Sequence, residues 1–79
     1  MGFFSNIFGK GALEKVMMGS YIGVKNMTPG MPEEFYLKEA LKRRFRNWSD
    51  YQLQGFIEDC SDIDDLIEKI YDQESKGLI

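Results

Sequence analysis

Five basic side chains lie within nine residues in the middle of this chain, between Lys38 and Arg46. Lys38, Lys42 and Arg46 are spaced four residues apart, which places them on one face of a helix. Like charges at this spacing weaken a helix slightly, so the fold alone does not require them. Lysine and arginine bind carboxylates and phosphates through charge-assisted hydrogen bonds. The residues predicted to bind a partner are Lys38, Lys42, Arg43 and Arg46.

The charge of the chain divides by position. Up to Trp48 there are 8 Lys or Arg and 4 Asp or Glu, a net charge of +4. From Ser49 onwards there are 2 and 9, a net charge of −7, and the two halves sum to −3. Nucleic-acid-binding domains normally carry a basic excess over the whole domain. The expected partner is therefore a protein or a second copy of this chain, with weak nucleic-acid binding or mimicry of phosphates by the acidic helix as a third reading.

The acidic residues that follow Cys60 do not fit a calcium-binding loop. Such a loop needs oxygen ligands at positions 1, 3 and 5 and a glycine at position 6. A loop that starts at Asp62 has Leu66 and Ile67 at the last two of these positions. The chain also contains no histidine, the commonest metal ligand. We expect no metal ion and no other cofactor.

Cys60 is the only cysteine, and it lies at helical spacing from Leu53, Phe56 and Ile57 on an apolar face. Burial raises the pKa of a thiol and makes it less reactive. A lone cysteine also forms no intramolecular disulfide, which favours a reducing cytoplasm as the compartment. Without a histidine base or a phosphate-binding glycine loop, we expect no enzymatic activity and no small-molecule substrate.

Two helices are predicted in the second half. Ser49 and Gln52 have the spacing of a capping box, which marks the start of the first one. Ser61 is expected to cap the second, and Gly77 is expected to end it in the left-handed conformation. The apolar face of this last helix consists of Ile63, Leu66, Ile67, Ile70 and Tyr71.

Two more helices are predicted upstream. Pro32 is suited to the first helical position, and the apolar stripe after it predicts a helix that runs to about Trp48. A shorter helix is expected over residues 12–18. Glycines punctuate the segment that follows, so a short extended stretch is expected over residues 21–24.

Phe3, Phe4, Ile7 and Phe8 form a hydrophobic cluster at the start of the chain. Gly9 and Gly11 weaken a helix that joins this cluster to the rest by about 1 kcal/mol each relative to alanine. Residues 1–11 therefore form a hydrophobic arm with three alternative roles. The arm closes the core, inserts into a partner or a second copy, or lies in a membrane interface.

Together these patterns predict an all-α fold, a small compact bundle of three to four short helices in a single domain over residues 1–79. The predicted core is Val16, Leu37, Leu41, Phe45, Trp48, Leu53, Phe56, Ile57, Leu66, Ile67 and Ile70. The predicted function is a non-enzymatic protein-interaction or regulatory module that uses the basic helix, the acidic last helix, or both. The alternative is a cytoplasmic protein held at the inner face of a membrane by the Phe-rich arm.

Overall fold

A computed structural model of the chain describes residues 10–79, and every regular element in that range is a helix. The helices are α1 (Gly11–Met27), α2 (Glu33–Arg44), α3 (Asp50–Ile57) and α4 (Ile63–Ser75). Helix α1 packs against α2 and α4, and α2 also packs against α3. This architecture confirms the predicted all-α class.

Helix α1 is much longer than predicted, and the extended stretch expected over residues 21–24 is wrong. The helix continues through Gly19 and Gly23 because both lie on its outer side, where neither interrupts packing. On its inner side Met17 and Val24 are buried, and Tyr21 packs against the core. Burial of these side chains outweighs the low helix propensity of the two glycines, which costs about 1 kcal/mol each.

Helix α2 ends at Arg44, about four residues before the predicted boundary at Trp48. The Phe45 N–H still donates to the Leu41 carbonyl at 2.9 Å, and the chain then turns. Within this turn the Trp48 N–H donates to the Phe45 carbonyl at 3.2 Å. The Phe45 and Trp48 rings stack with their centroids 4.3 Å apart, so the turn buries part of both against the core.

The caps of α3 and α4 are largely as predicted. The Ser49 hydroxyl accepts from the Gln52 N–H at 3.2 Å, and the Gln52 side chain accepts from the Ser49 N–H at 2.8 Å, which confirms the capping box. The residue that caps α4 is Asp62 rather than Ser61, because its carboxylate accepts from the Asp65 N–H at 2.9 Å. A carboxylate at this position also interacts favourably with the helix dipole.

Helix α4 ends at the predicted glycine. Gly77 has a φ of +73°, and its N–H donates to the Glu74 carbonyl at 3.0 Å. The N–H of Leu78 then donates to the Gln73 carbonyl at 2.9 Å. These two bonds satisfy the last carbonyls of the helix and define a Schellman ending.

All four helices contribute to one core. Most of the predicted members are buried, but Val16 is wrong, since it is 54% exposed while the adjacent Met17 is fully buried. Phe45, Trp48 and Phe56 are half-buried and pack against the edge of the core. The buried cluster consists of Leu13, Met17, Leu37, Ala40, Leu41, Leu53, Ile57, Ile63, Leu66, Ile67 and Ile70.

Candidate functional site

The predicted basic residues do not form one continuous ridge. Because α2 ends at Arg44, Arg46 lies in the turn that follows rather than one helical turn beyond Lys42. Lys38 instead forms an ion pair with Asp50 of α3, with the Lys38 Nζ 3.8 Å from the Asp50 Oδ1. The remaining cations lie at the end of α2 and in the turn after it, and we call them the basic end. The basic end consists of Lys42, Arg43, Arg44 and Arg46.

One member of the basic end is used by the fold. The Arg44 guanidinium donates to both carboxylate oxygens of Glu74 in α4, at 2.9 and 2.7 Å. Lys42, Arg43 and Arg46 are exposed, and no acidic side chain of residues 10–79 lies within 4.0 Å of their charged groups. The helix dipole favours cations in the last turn of α2, which accounts for part of this placement. It does not account for Arg46.

Aromatic side chains adjoin the basic end. Arg44 lies over the Phe45 ring at 5.6 Å, and the Trp48 ring contacts both Phe45 and Phe56. Trp48 also forms one wall of an open surface groove, which the sequence did not predict. The groove is lined by Trp48, Gln52, Gly55, Phe56, Lys69, Gln73 and Ile79.

The ammonium group of Lys69 is held at one side of this groove. It lies 4.3 Å from the centre of the Phe56 ring and donates to the Phe56 carbonyl at 2.7 Å. It also donates to Asp59 at 2.8 Å, and this hydrogen bond lowers the pKa of the Asp59 carboxyl below its usual value. Lys69 therefore joins α4 to the corner between α3 and α4 through Phe56 and Asp59.

A second charged cluster lies at the opposite end of α2. Helices α2 and α3 are antiparallel, because Lys38 pairs with Asp50 while Gln54 donates to Glu34. The start of α2 therefore meets the corner between α3 and α4, and Glu34, Glu58 and Ser61 line one small cavity there. We call the carboxylates of this region the acidic end. The acidic end consists of Glu33, Glu34, Glu58, Asp59, Asp62, Asp64 and Asp65.

Several carboxylates of the acidic end have partners within the fold. Glu33 accepts from the Tyr21 hydroxyl at 2.5 Å and lies 4.0 Å from the Lys25 ammonium group. Asp65 accepts from the Ser61 hydroxyl at 2.6 Å, which lowers the pKa of the Asp65 carboxyl. Glu58 and Asp64, in contrast, are exposed and have no cationic group within 4.0 Å among residues 10–79.

The acidic last helix, the other predicted binding surface, is partly neutralised. Glu68 pairs with Lys10, which precedes α1, and Asp72 lies 3.2 Å from Lys76. Glu74 is the acceptor for Arg44. The carboxylates beyond the first turn of α4 therefore have internal cations, and the exposed unpaired carboxylate lies in that first turn at Asp64.

Cys60 is half-buried beside the acidic end. Burial raises the pKa of its thiol above the usual value, as expected from the sequence. The thiol points its Sγ towards the Phe56 carbonyl, 3.7 Å away. Among the residues that the structure describes, no group of three or more potential metal-ligating side chains is close enough to hold a metal ion.

The predicted hydrophobic arm, Phe3, Phe4, Ile7 and Phe8, lies outside the described residues. Within residues 10–79, no helix combines the length and the apolar character needed to cross a membrane.

Comparison of the chain with known protein families, with characterised proteins and with solved structures gave no match.

Proposed function

We propose that this chain is a non-enzymatic protein-interaction module that binds an acidic protein surface through its basic end. The observation that carries the proposal is the group of three exposed cations, Lys42, Arg43 and Arg46, whose charged groups have no acidic side chain of residues 10–79 within 4.0 Å. A group of exposed positive charges attracts an acidic partner to this surface and repels a basic partner.

The groove beside Trp48 supports the assignment of the basic end as the binding surface. Tryptophan and arginine are the residues most often found at the energetic centres of protein interfaces. Here Trp48 and Arg46 lie in one turn, so an acidic partner segment can contact the cations while an apolar side chain enters the groove. The net charge of −3 disfavours a nucleic-acid backbone as the ligand.

The test is affinity capture of the tagged chain from native lysate with two charge-reversed variants. One carries Lys42→Glu and Arg46→Glu, and its charge-matched control carries Lys10→Glu and Lys15→Glu at the start of α1. Each substitution lowers the charge by two, so both variants change the net charge from −3 to −7. We expect the wild type and the control to capture the same protein equally well. The basic-end variant should bind that protein at least tenfold more weakly.

Equal capture by all three proteins would exclude the basic end as the binding surface. Circular dichroism of each variant shows whether the helices are retained, so that loss of binding is not confused with unfolding. The captured protein should also dissociate at high salt, since screening weakens interactions between exposed charges.

We place the module in the cytoplasm, where a lone thiol such as Cys60 stays reduced. The alternative location is the inner face of a membrane, with Phe3, Phe4, Ile7 and Phe8 as the anchor. Flotation with anionic vesicles distinguishes the two. Vesicle binding by the full chain that is lost when residues 1–9 are removed would support the membrane location.

A further inference from the structure

We infer that the acidic surface bound by the basic end is the acidic end of a second copy of this chain. The inference rests on the proposed function, because both use the same basic end. Its new content is the identity of the partner and the second surface, which lies around Glu58 and Asp64.

The two ends are complementary in charge. At the basic end, four cations and Glu74 leave a net charge of +3. At the acidic end, seven carboxylates with Lys25 and Lys69 leave a net charge of −5. The inference depends on the two clusters together. Both are exposed, they are opposite in charge, and each is only partly neutralised within residues 10–79.

One molecule cannot pair its own ends. The two ends lie at opposite ends of helix α2, whose 12 residues place Glu33 and Arg44 about 16 Å apart along the axis. This distance exceeds the Debye length of about 8 Å at physiological ionic strength, so the two ends interact only weakly within one chain. The charge that remains at each end is therefore available to another molecule.

An antiparallel pair of molecules satisfies both ends at once. The basic end of each copy then faces the acidic end of the other, and the complex closes with two-fold symmetry. The second contact forms within an already assembled pair, so it adds affinity without a second cost of association. A parallel pair would instead bring like charges together, which is unfavourable.

Analytical ultracentrifugation with a charge swap tests this inference. The basic-end variant carries Lys42→Glu and Arg46→Glu, so both of its ends are acidic. An acidic-end variant carries Glu34→Lys, Glu58→Lys and Asp64→Lys, which changes the net charge of its acidic end from −5 to +1, so both of its ends are basic. We expect the wild type to approach twice its monomer mass of 9.2 kDa with rising concentration at about 10 mM salt. Each variant alone should remain monomeric, and their equimolar mixture should recover the doubled mass.

The control variant with Lys10→Glu and Lys15→Glu should behave as the wild type. About 1 M salt should dissociate every complex, since the Debye length then falls to about 3 Å. A wild type that is monomeric at every concentration would overturn the inference, and so would a dimer that persists in either reversed variant. A monomeric wild type would not affect the proposed function, because capture of a different acidic protein tests that separately.

Discussion

The guanidinium group of Arg44 donates two hydrogen bonds to the carboxylate of Glu74, 2.9 and 2.7 Å long, and so joins the end of α2 to the end of α4. The two side chains are 30% and 31% exposed, which leaves the pair partly shielded from solvent. This contact explains why the last turn of α2 is basic at position 44. Lys42, Arg43 and Arg46 form no such pair, since no acidic side chain of residues 10–79 lies within 4.0 Å of their charged groups.

We predict a measurable coupling between these two residues. A double-mutant cycle with Arg44→Ala and Glu74→Ala should give about 0.5–1 kcal/mol in the free energy of unfolding, because a partly exposed pair is only partly screened. Urea denaturation of the wild type, both single variants and the double variant measures it. Lys42→Ala is the control and should change stability by less than about 0.5 kcal/mol. A coupling of zero, or an equal cost at Lys42, would contradict the prediction.

The glycines of this chain should respond to alanine in opposite directions. Gly19 and Gly23 lie inside α1, and a Cβ atom at either position meets nothing within 4 Å. Alanine at each should therefore stabilise the protein by about 0.5–1 kcal/mol. Gly77 also has open space, but its φ of +73° disfavours any residue with a Cβ atom. Gly77→Ala should destabilise by about 1–2 kcal/mol.

Thermal denaturation followed by circular dichroism measures these changes. For a domain of this size, 1 kcal/mol corresponds to a shift in Tm of about 4–8 °C. A lower Tm for the alanine variants of Gly19 and Gly23 would mean that residues 19–24 are not helical in solution. The comparison with Gly77 shows whether the effect arises from backbone conformation rather than from the loss of glycine itself.

The same glycines show where sequence reasoning failed on the fold. A glycine lowers helix propensity wherever it occurs, but its cost depends on which side of the helix it lies on. Packing decides which side of the helix is inward. The sequence around Gly19 and Gly23 places these glycines on the outer side only once Met17 and Val24 are known to face the core. The same uncertainty of one position led to Val16 rather than Met17 in the predicted core.

Two local signals with a specific chemical partner were predicted correctly, whereas the cap of α4 was assigned to Ser61 instead of the adjacent Asp62. The capping box of Ser49 and Gln52 and the left-handed Gly77 each depend on atoms within a few residues, so the sequence contains the whole interaction. The end of α2 depends instead on the stacking of Phe45 on Trp48, which competes with continuation of the helix. The sequence does not reveal this competition, because Phe45 and Trp48 both fit the apolar stripe that predicts a continued helix.

The candidate site was predicted in part for the same reason. The basic residues could be identified from the sequence, but the place of Arg46 depends on where α2 ends. The acidic end also depends on the antiparallel packing of α2 and α3, which brings Glu34 beside Glu58. The short connection over residues 45–49 was the available signal, since short connections favour antiparallel neighbours.

We predict that Tyr36 stabilises the corner between α1 and α2 through its hydroxyl group. The ring is 2% exposed, and the hydroxyl donates to the Thr28 carbonyl at 2.7 Å and accepts from the Met31 N–H at 3.0 Å. Tyr36→Phe leaves both backbone groups without this partner and should cost about 1–3 kcal/mol in urea denaturation. Tyr51→Phe is the matched control, because Tyr51 is 88% exposed, and it should leave stability unchanged. Equal stability of the two variants would contradict this role.

The ion pair between Lys69 and Asp59 should make stability depend on acidic pH. The hydrogen bond from Lys69, followed by its charge, lowers the pKa of the Asp59 carboxyl in the folded protein. In the unfolded chain this pKa is about 3.9, so the stabilisation is fully present above that value and is lost as the pH falls through the folded pKa.

Asp59→Asn should therefore be less stable than the wild type at pH 7, and the difference should shrink as the pH falls below about 4. Urea denaturation at a series of pH values from neutral to strongly acidic measures the difference. In a Lys69→Met background the pH-dependent part of this effect should be much smaller, because the hydrogen bond and the charge that contribute most to the lowered pKa of Asp59 are absent. A difference that stays constant with pH would show that Asp59 acts by another route, such as its place in the chain turn between α3 and α4.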